Sequence, residues 1–92
     1  MKMKIKEIIK KTIKDIVGTE NFSVEHPADE KMGDYASNIA MVMAKQVGKN
    51  PRELASEVVS KLSVDERLME IIEKMEVAGP GFINFWVKDV VL

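Results

Sequence analysis

Apolar side chains recur at three- and four-residue steps from Ile5 through Ile8, Ile9, Thr12, Ile13 and Ile16 to Val17. That spacing is one stripe of a 3.6-residue period and predicts an amphipathic helix. Lysines take its other faces, and Gly18 supplies the stop, because glycine enters the left-handed conformation that closes helices. The period then drops to two. Phe22, Val24 and His26 alternate with Asn21, Ser23 and Glu25, which predicts a short half-buried strand ended by Pro27. Residues 27–33 are polar, contain a proline and a glycine, and read as a loop. Asp34 stands where it would cap a second helix near 35–47, with Tyr35, Ile39, Val42, Met43 and Val47 on its apolar side. Ala36, Ala40 and Ala44 add a smooth stripe suited to close packing.

Gly48 ends that helix, and Asn50-Pro51-Arg52-Glu53 opens the next with a cap, a proline at the first turn and a capping-box-like acid. Leu54, Ala55, Val58, Val59 and Leu62 form its buried face. Ser63-Val64-Asp65-Glu66 repeats the capping signal ahead of a short helix carrying Leu68, Ile71 and Ile72. The last stretch alternates again: Met75 and Val77 against Glu76 and Ala78, a turn at Gly79-Pro80-Gly81, then Phe82 to Val87. This is hairpin chemistry. The predicted fold is α+β in two layers, an antiparallel sheet with helices packed on one face. Residues 1–92 read as a single domain without repeat or linker, and the bare apolar end Val90-Val91-Leu92 suggests a fragment of a longer chain.

Composition narrows the chemistry. No cysteine is present, which removes disulfides, thiolate zinc sites and a cysteine nucleophile, and which fits a reducing cytoplasm. The longest apolar run, Ile39 to Ala44, is far too short to cross a bilayer, so no membrane partner is expected. Net charge is −1 but uneven: residues 1–14 carry six lysines against Glu7, so the remainder sums to −6. An acidic chain of this kind makes a poor general polyanion binder, since non-specific nucleic-acid affinity comes from neutralising phosphates. Any RNA contact should be weak or confined to one spot, although the lysine face of the first helix leaves a phosphate contact open beside its ordinary role as a solvated face.

The final strand carries the informative side chains. Ile83, Phe85 and Val87 share one face and belong against the helices; Phe82, Asn84 and Trp86 share the other. Burying Asn84 without partners would cost about 1–3 kcal/mol, so these three are expected on an open sheet face. There an aromatic ring can stack on an unpaired base, and an amide can both donate to and accept from its edge. Gly79 and Gly81 would let backbone approach such a ligand closely. Packing is the commoner use of exposed-face aromatics, and alternation alone leaves both uses open.

Other groups point nowhere so specific. His26 lacks a second firm metal ligand, so no metal site is expected. The pairs Asp29-Glu30 and Asp65-Glu66 read as solvated or capping carboxylates, and the methionines at 32, 41, 43, 69 and 75 as gap-fillers in the core. No catalytic constellation can be assembled.

Three stretches, Gly33-Asp34-Tyr35-Ala36-Ser37-Asn38-Ile39-Ala40, Asn50-Pro51-Arg52-Glu53-Leu54-Ala55 and Ala78-Gly79-Pro80-Gly81-Phe82-Ile83-Asn84-Phe85, resemble in order and spacing the signatures of the arginyl-tRNA synthetase N-terminal domain. The resemblance covers essentially the whole chain. It implies a two-layer module ahead of a class I catalytic domain, contacting the D-loop at the elbow of tRNA. An aromatic and an asparagine that contact a D-loop base in bacterial-type members fall on Phe82 and Asn84. Phe82 stands where some members carry tyrosine, so stacking survives without a hydroxyl contact. Gly79 and Gly81 belong to the same motif, whereas Trp86 lies outside the resemblance and rests on alternation alone. The implied partners are tRNA(Arg) and the catalytic domain of the same polypeptide. ATP and arginine would bind that catalytic domain, leaving no cofactor in this chain, which should bind but not catalyse. A different use of the same aromatic patch is a free-standing protein-interaction module.

Overall fold

The computed structural model describes residues 4–89, apart from the side chain of Glu30. Helix α1 (Ile5–Val17) leads into β1 (Val24–Glu25), a single 3-10 turn (Glu30–Met32) and β2 (Tyr35–Ser37). Helices α2 (Ile39–Val47), α3 (Pro51–Leu62) and α4 (Glu66–Met69) follow, and the hairpin of β3 (Ile72–Ala78) and β4 (Phe82–Val87) completes the chain. The strands form one antiparallel sheet in the order β1-β2-β4-β3. Helices α2 and α3 pack on the inner face of β4, where Ile83, Phe85 and Val87 are all buried, and Ile9 and Ile13 of α1 join Leu54, Val58 and Leu62 of α3 in the same core. The α+β class and the single helical layer are therefore as the periodicity predicts. Residues 90–92, whose apolar run suggested a continuing chain, lie outside the described residues.

Most boundaries also follow the caps. Gly18 and Gly48 close α1 and α2 in the left-handed conformation. Asn50 caps α3 by accepting from the backbone N–H groups of Arg52 and Glu53. The Asp65 carboxylate accepts from Leu68 to open α4.

Residues 35–37 overturn the helix expected from Asp34 onward. They form β2, paired with Ile83–Phe85 in the register Tyr35↔Phe85, Ala36↔Asn84 and Ser37↔Ile83. Asp34 caps no helix: its N–H donates to the Phe85 carbonyl and its Oδ2 accepts from the Val87 N–H, both at 2.8 Å. Asn38 occupies the helix-capping place, yet its Oδ1 accepts from the Ser23 N–H at 2.8 Å and ties in the approach to β1. Long-range pairing has overridden a local spacing that fitted a helix. The same holds at the far end of the helical layer, where Ile72 opens β3 opposite Val87 instead of closing α4. Ala36 thus leaves the alanine stripe for the sheet, while Ala40 and Ala44 stay buried. Val47 and Met32, both expected to face the core, are 57% and 41% exposed.

One charge cluster joins the two ends of the helical layer. Arg67 contacts Asp65 at 3.0 Å and Asp15 of α1 at 2.9 Å. Hydrogen bonds from Arg67, joined at Asp15 by Lys11, hold both carboxyls below the usual carboxylate range. A carboxyl with a depressed folded-state pKa stabilises the fold above its unfolded pKa, and that contribution disappears as pH falls through the folded value. Arg67→Ala should therefore flatten the acid limb of a stability–pH profile below about pH 4, measured by urea unfolding, and lower stability only slightly at neutral pH.

Candidate functional site

The outer face of the sheet is only partly open. Residues between β1 and β2 fold back over it, and Gly33 sets how closely they approach. Its φ is +102°, and a Cβ there would lie 2.8 Å from the Phe85 carbonyl oxygen and 3.3 Å from Trp86 Cδ2. With no side chain the loop lies flat on β4. Between this loop and the hairpin turn remains a cleft of about 410 Å³. Pro27, Ala28, Asp29 and Met32 make one wall, and Ala78, Gly79, Pro80 and Phe82 the other. Ala36 and Asn84, directly opposed across β2 and β4, make the floor.

Phe82 is 39% exposed, and its ring forms one side of the cleft. Asn84 departs from the open position expected of it, being only 3% exposed. The loop wall covers it, while the methyl of Ala36 leaves space above it. No hydrogen bond joins its amide to another described residue, and among those residues no side-chain N or O shielded from water lacks a partner. Asn84 lines the floor of the cleft, where its amide offers a ligand edge both a donor and an acceptor.

The two glycines of the turn divide their roles. Gly79 adopts φ +56° on the exposed rim, with only the Phe82 ring within 4 Å of a Cβ built on it. Gly81 lies outside the cleft lining. A Cβ there would stand 2.8 Å from Pro51 Cβ and 3.1 Å from the Pro51 carbonyl, so its bareness seats the hairpin on the start of α3. Arg52 completes that joint by donating from Nη1 to the Gly79 carbonyl. Trp86 lies outside the cleft lining: it is half-buried under Gly33, with Lys74 Nζ 4.3 Å from its ring centroid.

The pattern of the sequence did not reveal the loop wall, and Asp29 in particular. Its Oδ1 accepts from the Lys31 N–H at 2.9 Å, which places a carboxylate at the cleft edge. Reading 35–37 as a strand would have revealed Ala36 as the small neighbour of Asn84. His26 stacks against Tyr35 with ring centroids 4.6 Å apart, its Nδ1 2.9 Å from the Asp34 carbonyl oxygen. Among the described residues no group of three potential metal ligands comes together.

The chain is a two-layer module whose sheet face carries an apolar cleft with an aromatic wall and an amide floor. A family model described as the arginyl tRNA synthetase N terminal domain matches residues 3–87, and the chain belongs to that family. An arginine–tRNA ligase of Hydrogenovibrio crunogenus is 42% identical over 98 residues, covering 98% of this chain and 16% of its own length. One from Listeria monocytogenes is 41% identical, with the same coverage of each chain. One from Citrifermentans bemidjiense is 51% identical over 67 residues, or 73% of this chain. The chain thus spans about 16% of the length of the first two relatives. Among solved structures, Thermus thermophilus arginyl-tRNA synthetase superposes over 95% of this chain and 14% of its own, with a TM-score of 0.66 and 25% identity. The Plasmodium falciparum enzyme shares the fold at a TM-score of 0.70 and 23% identity, over 95% of this chain. No helix among the described residues is long and apolar enough to cross a membrane.

Proposed function

We propose that this chain is the tRNA-binding domain of an arginine–tRNA ligase and that its cleft takes one unpaired base of the tRNA(Arg) D-loop. Phe82 stacks on the base, and Asn84 reads its edge from the floor. Gly79 forms the turn that holds Phe82 at the rim, and Trp86 supports the loop from beneath. The observation that carries this reading is an amide 3% exposed, unpaired to any described residue, at the bottom of an apolar cleft with an aromatic side. A planar ring with polar edges is the chemistry that satisfies both surfaces at once. Family membership supports tRNA(Arg) as the partner, since the named relatives are arginine–tRNA ligases. ATP and arginine then belong to the catalytic domain of the same polypeptide, in the cytoplasm where tRNA is charged.

The net charge of −1 leaves little for non-specific attraction, so the domain acts as a local reader within a larger ligase. Amide chemical shifts should be followed while tRNA(Arg) is added to the 92-residue chain. Residues 79–86 and the loop wall at 27–32 should move together. Shifts confined to the lysine face of α1 would refute the cleft. Unchanged shifts throughout, together with capture of a protein by Phe82 and Met32, would favour the protein-interaction alternative.

A further inference from the structure

Two arginines occur in the chain, and their surroundings differ. Arg67 is neutralised by Asp15 and Asp65. Arg52 forms no ion pair with a described residue, lies exposed, and gives one guanidinium N–H to the Gly79 carbonyl. Gly79 and its neighbour Pro80 are the rim of the cleft beside Phe82. The hairpin turn thus holds a guanidinium that pairs with no described carboxylate at the edge of a mostly apolar site. Across the cleft the opposite wall carries Asp29, whose carboxylate repels an anion.

We infer that Arg52 is a binding residue of this cleft and receives the phosphate flanking the base held by Phe82 and Asn84. The inference rests on the base-binding reading above and adds where the RNA backbone runs: along the turn and the start of α3, away from Asp29. A base entering the cleft brings a phosphate on each side, and the low general basicity of the chain leaves that charge unmatched. A guanidinium has five N–H donors in a planar fork, so the bond to Gly79 fixes it while other donors stay available to phosphate oxygens.

The test is the salt dependence of tRNA(Arg) binding by the 92-residue chain, compared among wild type, Arg52→Gln, Arg52→Lys and Phe82→Ala. Removing one phosphate contact to single-stranded RNA lowers the slope of log K against log salt by about 0.7. Arg52→Gln should show that loss and bind several-fold more weakly at low salt, whereas Arg52→Lys should keep the slope. Phe82→Ala should weaken binding at an unchanged slope, because it removes stacking and no charge. Thermal unfolding of Arg52→Gln accompanies the titration, so that a loosened turn is not read as a lost contact. An unchanged slope in folded Arg52→Gln would overturn the assignment and leave Arg52 as a tie for the turn. Such a result would leave the cleft itself standing, which fails in this experiment if Phe82→Ala binds as wild type does.

Discussion

Phe82→Ala should weaken tRNA(Arg) binding roughly five- to 150-fold while the domain stays folded. The range follows from about 1–3 kcal/mol for stacking one base on one aromatic side chain. Retention of the fold follows from position. Phe82 is 39% exposed and pairs with Ala78 at the last rung of the hairpin, so its ring contributes little to the core beneath β4. The neighbouring Phe85 sits at 0% exposure among the helices, and truncating it would unfold a domain of this size before binding could be measured. Two aromatics three positions apart on one strand thus separate recognition from stability. Asn84→Ala should act differently from both. Its amide meets the cleft instead of other described residues, so its loss should reduce discrimination between bases more than it reduces stacking.

Gly81→Ala should be the most damaging single-methyl change in the hairpin, lowering stability by about 3 kcal/mol or more in urea unfolding. The added Cβ meets Pro51 at 2.8 Å, with the Pro51 carbonyl carbon and oxygen at 3.1 Å, and φ is +133°. Backbone on one side and a rigid ring on the other leave no flexible end to yield. Gly18→Ala is the internal comparison: φ is +78°, but nothing lies within 4 Å of the new carbon. It should cost only the left-handed penalty of about 1–2 kcal/mol. A Gly81→Ala loss no larger than that of Gly18→Ala would show that the hairpin does not depend on its seat against α3.

That joint gives a physical content to the three signature stretches. Gly33 of the first lies against the end of β4, and Asp34 hydrogen-bonds it. Pro51 and Arg52 of the second hold the turn of the third. Much of the shared pattern therefore positions the cleft, and only Phe82 and Asn84 of the third stretch line it with groups suited to a base.

Local signals made much of the fold legible in the sequence. The stripe of α1, the proline-led start of α3 and the Gly-Pro-Gly turn each depend on neighbours within a few residues. What escaped depends on distant partners. Tyr35, Ala36 and Ser37 are too few to display an alternation, and their strand exists because β4 offers them a ladder. Alternation correctly put Asn84 opposite Ile83 and Phe85, but its burial comes from a loop arriving from before β2. The flat approach of that loop depends on the missing side chain of Gly33. For the same reason Asp29 and Met32 could not be connected to the hairpin from spacing alone.

The most direct measurement combines both partners of the proposed contact. Each unpaired D-loop position of tRNA(Arg) is made abasic in turn, and each RNA is titrated against wild type and Phe82→Ala. At one position the two changes should fail to add, since removing the base and removing the ring delete the same stacking interaction. Fully additive losses at every D-loop position would contradict a base held against Phe82.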